Sequence, residues 1–457
     1  MEVSFVRFRP SEYFPLVVHI MPRRNAMTQP VDDKLLDKLQ QKTFSYFVNE
    51  VNLDNGLVRD RTEVNAPSSI AGTGLALAAY PVGVERGYFE RDDAIQRTLA
   101  CLRFFAKSTQ STDRNATGYK GFYYHFLDMQ TGRRVWKSEL SSVDSAFLLA
   151  GMLTAAEYFT RDTQEEREIR ALARQLYERV DWQWMLNNGP TLSHGWTPER
   201  GFIRYRWQGY SEALLLYVLG LGSPTHPLPE ETYTAWTSTY KWKKIYGTEF
   251  LYSGPLFTHQ LSHVWIDFRG IRDPYMQQRQ SDYFDNSRSA TEVQRKYAIR
   301  NPMQFAGYDE ACWGLTASDG PGRITCRVDG IVRRFYDYIS RGAPYGPDDG
   351  TIAPWAVVAS LPFAPDIVLP AIKQFQRLKL MEPNPYGFTT AFNRTFPTKE
   401  AGTIGWISPS HCGLNQGPIV LMIENHRTEL IWKLMRNCSY IVTGLRRAKF
   451  AGGWLQG

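Results

Sequence analysis

The sequence contains no run of roughly 18 apolar residues, which excludes a helix that spans a membrane. The apolar stretch at residues 14–21 is short, holds Pro15 and His19, and leads into a proline and two arginines rather than a small-residue cleavage site. It therefore gives poor support to a signal peptide. We expect folded sequence to begin at residue 34, with residues 1–33 as an extension that is disordered or lies upstream of the true start.

Cysteine is scarce and scattered along the chain. The five cysteines are an odd number and form no CxxC pair. This pattern excludes a scaffold built on disulfides and a cysteine-based zinc site, and it leaves the redox compartment open. The cysteines are Cys101, Cys312, Cys326, Cys412 and Cys438.

The sequence also lacks a basic stripe. Its net charge is +7, but the basic residues are dispersed and interleaved with acids, so we expect no nucleic-acid partner. There is no P-loop and no GxSxG nucleophile motif. His259 and His263 have the i, i+4 spacing of a zinc helix, but Gln260 stands where a metalloprotease carries its glutamate base. We therefore expect no metal and no cofactor.

Aromatic residues, in contrast, are abundant. They make up 14% of the chain, and 13 Trp with 25 Tyr exceed what a core alone requires. Such a composition favours a long cleft lined by aromatic rings. Sugars suit a cleft of this kind, because their C–H faces stack on aromatic rings while their hydroxyls bond to charged side chains.

Two kinds of helical segment alternate along the chain, one nearly uncharged and one amphipathic. An uncharged helix must be covered on all sides, whereas an amphipathic helix needs cover on one side only. The alternation predicts an all-α fold, an (α/α) barrel with an inner and an outer ring, as a single domain over residues 34–457. We expect one short β-hairpin, at residues 122–135, with its turn at 128–132. The uncharged segments are 69–80, 143–156, 212–221, 351–361 and 419–434; the charged segments are 34–47, 91–107, 164–180, 230–246, 281–297 and 365–380.

The stretch 195–228 joins an aromatic, charged loop to an apolar helix at residues 213–221. Ser211 is the expected N-cap, which places Glu212 in the first helical turn. Trp196, Trp207 and Tyr210 precede this carboxylate in one loop and are expected to line sugar subsites. The plainer alternative is that Glu212 only caps a core helix.

Acidic residues also stand at the starts of other uncharged segments, Glu139 and Asp144 at one of them and Asp349 at another. Each alone is more often a cap. Together at one end of a barrel they are the paired carboxylates that glycoside hydrolysis requires. We expect Glu212 as the general acid and the Glu139 and Asp144 pair for water activation. The reverse assignment stays open, because burial raises the pKa of Glu212 while the helix N-terminus lowers it.

Further polar and aromatic side chains are expected to contact the substrate in the cleft or to bond to one another. These are His125, His263, Trp265, Asp267, Arg269, Asp349, Trp355 and Asn415.

Several long motifs resemble the glucoamylase-like domain of glycoside hydrolase family 144, the bacterial endo-β-1,2-glucanases, which is related to a domain of cyclic β-1,2-glucan synthases. The resemblance covers most of residues 34–450. It implies an (α/α)6 barrel, a β-1,2-glucan substrate, an inverting mechanism, no metal and a periplasmic location, although the sequence as written also fits the cytoplasm. The motifs are GFYYHFLDMQTGRR from Gly121, ELSSVDSAFLLAGML from Glu139, GYSEALLLYVLGLGSPTHPLP from Gly209, LFTHQLSHVWIDFRGIRD from Leu256, SDYFDNSRSAT from Ser281, GLTASDGP from Gly314, DGTIAPWAVVASLPFAP from Asp349 and LNQGPIVLMIENHRTELIW from Leu414.

The resemblance carries the acidic positions of the family's cleft to Glu139, Glu212 and Asp144. One position departs from the family pattern, because Asn415 stands where the family has an aspartate. An amide cannot take a proton at neutral pH, so Asn415 is expected to lower or redirect activity. A glucan transglycosylase and a non-catalytic sugar-binding protein on the same barrel are the alternatives. We expect a monomer.

Overall fold

The computed structural model describes residues 30–382, 384–398 and 404–456, and within them the chain is mostly helical, as predicted. Short 3-10 helices cover Leu256–His259, Leu261–Val264 and Gly453–Gln456. The α-helices are α1 (Pro30–Asn49), α2 (Ile70–Glu85), α3 (Arg91–Lys107), α4 (Ser142–Tyr158), α5 (Gln164–Glu178), α6 (Trp182–Met185), α7 (Ala213–Gly222), α8 (Glu230–Thr237), α9 (Pro274–Gln278), α10 (Tyr283–Arg300), α11 (Pro354–Ala359), α12 (Pro365–Arg377), α13 (Gly413–Arg427), α14 (Leu430–Asn437) and α15 (Ser439–Arg447).

The uncharged segments form the buried helices. Every residue of α7 and α11 is buried, and α4 is buried from Ser142 to Ala155. The charged helices α3, α5 and α12 bury one side only. Burial therefore follows the charge pattern of each segment, because a helix without a charged face gains by covering its whole surface.

Two buried helices, α2 and α4, lie in backbone contact. A Cβ atom at Gly74 would collide with the carbonyl oxygen of Phe147, and one at Gly151 with that of Gly74. Glycine at these two positions lets the helices approach to this distance.

The starts of several buried helices gather at one end of the molecule. The Ile70 amide, at the start of α2, donates to the His125 carbonyl (3.2 Å), and the His125 amide donates to the Glu139 carbonyl (2.9 Å), just before α4. A Cβ atom at Gly72 would lie 3.8 Å from Gly413, the first residue of α13. The acids at the start of α4 are thereby brought to the same end of the molecule as the starts of α2 and α13.

The chain has more strands than the single hairpin that the sequence predicted. The predicted turn exists, since the amide of Gly132 donates to the carbonyl of Asp128 (2.9 Å). The other strands are two to four residues long, too short to show the alternation by which strands are recognised in sequence. Antiparallel pairing orders one five-stranded sheet as β2-β3-β5-β6-β7 and a three-stranded sheet as β14-β15-β16. The strands are β1 (Ser68–Ser69), β2 (Gly118–Tyr119), β3 (Phe122–Tyr124), β4 (Phe126–Leu127), β5 (Leu140–Ser141), β6 (Gly195–Thr197), β7 (Gly201–Phe202), β8 (Trp242–Ile245), β9 (Thr248–Leu251), β10 (Ala317–Ser318), β11 (Thr325–Val328), β12 (Ile331–Arg334), β13 (Ile339–Ser340), β14 (Thr351–Ile352), β15 (Phe392–Asn393) and β16 (Trp406–Ile407).

Two segments that were predicted as continuous helices are interrupted in the structure. The segment 230–246 is helical only to Thr237, and its end pairs with β9 as a hairpin, because Tyr246 and Gly247 both adopt the positive φ of a tight turn. The segment 419–434 is split between α13 and α14 at Glu429, which has φ 62°.

At the N-terminus, helix α1 begins at Pro30, so residues 30–33 belong to the folded chain, and the rest of the predicted extension lies outside the described residues. Among the helices of the described segments, none combines the length and apolarity needed to cross a membrane.

Candidate active site

A histidine and two carboxylates meet at the start of α4. His125 lies between β3 and β4, and the pairing of β3 with β5 places it opposite Glu139. The distance from His125 Nδ1 to Glu139 Oε1 is 3.0 Å, and that to Asp144 Oδ2 is 3.7 Å. The three side chains come from a sheet and from the first turn of a buried helix, so their mutual position is fixed by backbone pairing.

Ser141 orients Asp144 within this cluster. As the N-cap residue of α4, Ser141 accepts the amide proton of Asp144 (3.2 Å), and its hydroxyl donates to the Asp144 carboxylate. This is the usual capping role of serine, used here to aim a buried acid at His125.

The charges of the cluster reinforce one another. Burial opposes protonation of His125, but the negative charges of Asp144 and Glu139 outweigh it and raise its pKa to about 9. Burial likewise opposes ionisation of Glu139, yet the hydrogen bond and charge of His125 lower its pKa below the ordinary value. At neutral pH the cluster therefore contains an imidazolium ion and an ionised Glu139.

Glu212, whose pKa responds to the charge of Asp144, has the opposite electrostatic setting to Glu139. Burial raises its pKa to about 7; a backbone hydrogen bond lowers it, and the charge of Asp144 raises it further. The sequence did not determine whether the pKa of Glu212 is raised or lowered, and the burial seen in the structure raises it. Such a carboxyl carries a proton over much of the neutral range.

Glu212 itself, rather than Ser211, is the N-cap residue of α7, which corrects the predicted cap. Its side chain makes no capping bond, while its carbonyl accepts the Ser262 hydroxyl (2.9 Å). The backbone of Glu212 is thus held in place and its carboxyl is left free of the helix end.

The aromatic loop before Glu212 is more buried than a set of open sugar subsites would be. Trp207 is buried, donates its indole N–H to Ser142 Oγ (2.9 Å) and stacks on His194 at 4.1 Å. Tyr210 is buried against Tyr283. Trp196 is half-buried in β6. Trp207 and Tyr210 therefore support the walls behind the carboxylates.

The Glycoamylase family model, of glucoamylase-like proteins, matches residues 204–439. The chain belongs to this glucoamylase-like family. A solved glucoamylase-like structure from Bacteroides uniformis is 32% identical, with a TM-score of 0.82, over 93% of this chain and 99% of that one.

Two further relatives carry activities in their names. The exo β-1,2-glucooligosaccharide sophorohydrolase (non-reducing end) of Parabacteroides distasonis is 28% identical over 93% of this chain and 59% of its own length. This glucoamylase-like chain thus spans about three fifths of that relative. The endo-β-1,2-glucanase of Chitinophaga pinensis, solved with sophorotriose and glucose, is 27% identical with a TM-score of 0.79, over 93% of this chain and 99% of that one.

Four residues predicted to contact the substrate of this glucoamylase-like chain are either fully buried or lie away from the carboxylates. His263 is fully buried, where burial lowers its pKa to about 3, and Trp265 is fully buried against Phe147. Asp267 and Arg269 form an ion pair (2.8 Å) at the opposite end of the buried helices, near the end of α13. Asp267 and Arg269 thus bond to each other, one of the two alternatives that the sequence left open for this stretch, and His263 and Trp265 take no part in that pair.

Three other predicted residues differ in their access to a ligand. Asp349 is fully buried, and both its oxygens accept from Arg341 at 2.8 Å. Trp355 is also buried. Asn415 lies in the first turn of α13, and within the described residues its side-chain amide has no recorded partner. Asn415 is therefore the one of the three with a polar group available to a sugar.

Sequence reasoning missed His194 and Asp60. His194 stacks on Trp207, and its carbonyl accepts the Ser142 amide at the start of α4 (3.1 Å). Asp60 is buried, and its charge contributes to the raised pKa of His125. His194 directly precedes the aromatic loop, a signal that could have found it. Asp60 lies in the loop after α1, where no motif marks it.

The described residues contain no group of three or more His, Cys, Asp or Glu side chains that could hold a metal ion. A polar surface cavity of about 880 Å³ lies between α3 and the 128–132 turn, and none of the carboxylates above lines it. The carboxyl groups of the cluster can donate and accept protons.

Proposed function

We propose that this protein hydrolyses β-1,2-glucosidic bonds in glucans or their oligosaccharides. The observation that carries the proposal is the contrast between two acids: Glu212 has a pKa raised to about 7 by burial and by the charge of Asp144, whereas Glu139, bonded to His125 beside Asp144, has a lowered pKa. Glycoside hydrolysis needs one protonated and one ionised carboxyl beside the same bond. The substrate class is supported by the names of the Parabacteroides distasonis and Chitinophaga pinensis relatives.

In the proposed mechanism, Glu212 donates its proton to the leaving glycosidic oxygen. The pair of Glu139 and Asp144, in which Glu139 is ionised, takes a proton from the attacking water on the other face of the sugar. His125 is a positioning residue that keeps Glu139 ionised. The mechanism is then inverting, and it requires the working carboxyls to sit roughly 6.5 to 9.5 Å apart when substrate is bound.

The proposal includes the architecture that holds these groups. We propose a single catalytic domain over residues 34–457, built as an (α/α)6 barrel and acting as a monomer. Support comes from the buried uncharged helices and from the fact that one chain supplies every member of the carboxylate cluster. Likeness to the Talaromyces funiculosus endo-β-1,2-glucanase, at 13% identity and a TM-score of 0.62 over 88% of this chain and 85% of that one, concerns the fold alone.

The experiment is incubation of the purified protein with linear β-1,2-glucan, followed by separation of the products and by NMR of the anomer formed first. We expect shorter β-1,2-gluco-oligosaccharides, released first as the α-anomer, and no products from β-1,3-glucan. Products longer than the substrate would indicate transglycosylation. Absence of any product, together with tight retention of the glucan, would indicate a sugar-binding protein instead.

The roles of the two acids are tested separately. Glu212→Gln should lose activity on natural glucan and recover it on a β-glucoside with an activated leaving group, because such a group needs no proton. Glu139→Gln should lose activity on both substrates. Full activity of either variant on natural glucan would refute a catalytic role for that residue.

A further inference from the structure

The segment between the 128–132 turn and Glu139 holds a backbone conformation that its residues do not favour. Trp136 and Lys137 have φ of 56° and 53°, and the Ser138 amide donates to the Val135 carbonyl (3.0 Å) to close the turn. Two successive residues in the left-handed conformation are usually Asn or Gly, because a Cβ atom makes this conformation sterically unfavourable for most other residues. Each of the other such pairs in the described chain contains at least one Asn or Gly: Lys120 and Gly121, Asn187 and Asn188, Tyr246 and Gly247, Asp329 and Gly330, and Gly452 and Gly453.

The surrounding structure holds this unfavourable turn in place. Arg134 is buried, donates to the carbonyl of Ser138 (2.5 Å) and forms two bonds to the Glu199 carboxylate (2.8 and 3.0 Å). Both ends of the turn are therefore fixed to a neighbouring loop. Strain that persists because its surroundings impose it is typical of functional segments.

The turn presents a large aromatic ring to solvent. The Trp136 side chain is 66% exposed, although an indole gains by burial, and Lys137 beside it is also exposed. Folding alone does not explain this choice of residues, because Asn or Gly would fit the same turn without the steric cost.

The exposed ring continues directly from the carboxylate cluster. Trp136 packs on Phe126 with ring centroids 5.1 Å apart, and Phe126 stacks on the His125 ring at 4.1 Å and an interplanar angle of 8°. Three rings thus lead from the charged cluster to the surface. Trp136 is at the outer, solvent-exposed end of this row of rings.

We propose that Trp136 is a stacking platform for a glucosyl unit remote from the cleaved bond, and that it makes the enzyme prefer longer β-1,2-gluco-oligosaccharides over sophorose. The proposal rests on the proposed function and adds to it a residue that sets chain-length preference. Lys137, beside the ring, donates hydrogen bonds to the hydroxyls of the same unit. The rigid turn holds the ring in its binding position before the sugar arrives.

The test measures binding by calorimetry in the Glu212→Gln background, which retains the cleft but does not turn over, with sophorose and with longer β-1,2-gluco-oligosaccharides. Trp136→Asn should weaken binding of the longer ligands by about fivefold and leave sophorose unchanged. Trp136→Phe, the matched control, should keep most of the affinity. Because Asn fits the turn better, Trp136→Asn should melt no lower than its parent.

Each outcome is decisive. Equal affinities of the parent and Trp136→Asn for every length would overturn the stacking platform and leave the proposed function intact. An equal loss of affinity for sophorose and for longer ligands in Trp136→Asn would also overturn the stacking platform and leave the proposed function intact. A lowered Tm of this variant would do the same, because either result indicates a structural role for Trp136. If the parent binds no β-1,2-gluco-oligosaccharide, the proposed function fails and this role of Trp136 fails with it.

Discussion

His125 and Glu139 form an ion pair at the start of a buried helix, with 3.0 Å between His125 Nδ1 and Glu139 Oε1. The antiparallel register of β3 and β5 places the two residues opposite each other, so the backbone fixes the position of both side chains. The pair sets the charge state of Glu139, because the cationic ring holds Glu139 ionised, whereas burial and the charge of Asp144 favour a protonated Glu212.

The first prediction is that His125→Gln shifts the acid limb of the pH profile of kcat/KM to higher pH. Loss of the positive charge removes the main influence that lowers the pKa of Glu139, so this base becomes protonated at higher pH than before. His194→Gln is the matched control, because burial lowers the pKa of His194, so its ring becomes positively charged only at a lower pH than His125 does. An unmoved acid limb in His125→Gln would show that Glu139 is not the base.

His125 should also stabilise the fold in a pH-dependent way. Its pKa is raised from 6.5 to about 9, so its contribution is fully present below about 6.5 and is lost as the pH rises through 9. The difference in free energy of unfolding between the wild type and His125→Gln should therefore shrink from pH 6 to pH 10, measured by urea unfolding.

A second prediction concerns Glu212. With a pKa near 7 the general acid loses its proton above neutral pH, so kcat/KM should fall on the alkaline side with a midpoint near 7. Because the folded-state pKa lies above 4.5, the neutral carboxyl stabilises the fold fully below about 4.5 and this stability is lost as the pH rises through 7.

Glu212→Gln should consequently gain stability relative to the wild type as the pH rises from 4 to 9, by at most about 3 kcal/mol. Thermal unfolding of the two proteins across this range measures the effect. A constant difference would mean that the Glu212 carboxyl titrates like an exposed one.

The third prediction is that Asn415→Asp increases kcat. Asn415 lies in the first turn of α13, where the helix N-terminus favours a carboxylate, and an ionised oxygen there can take a proton from water as an amide cannot. The gain should be roughly tenfold or more, where a well-positioned base contributes about 100-fold or more. Asn415→Ser serves as the uncharged control, and a variant with Asp that is no faster would show that this position is not part of the reaction.

The fourth prediction is that Asp349 stabilises the fold and does not contact the substrate. Its two bonds to Arg341 form a fully buried ion pair, and breaking one partner of such a pair costs about 3–5 kcal/mol. Asp349→Asn should lower the free energy of unfolding by that amount while the KM of the folded fraction stays unchanged. Glu168→Gln, which breaks the exposed pair with Arg103, should cost less than about 1 kcal/mol. A raised KM in Asp349→Asn with normal stability would restore its predicted contact with substrate.

Local sequence composition determined which helices are buried. Segments without charge, such as the one that forms α7, can reach a low free energy only when covered on every side, so their burial follows from the residues alone. The turn at 128–132 was also predictable, because Asp128 and Gly132 favour it locally. The candidate acids were recognisable for the same reason, since they stand at the starts of uncharged segments.

Tertiary structure decided the rest, because it depends on groups that are far apart in the chain. Trp207 is buried and donates a hydrogen bond to Ser142, and no local sequence pattern in its loop indicates that partner. Asp267 and Arg269 share a polar network with the end of α13, at the end of the molecule remote from Glu212. The sign of the Glu212 pKa shift depends on enclosure by several segments and on the charge of Asp144, both of which exist only once the chain has folded.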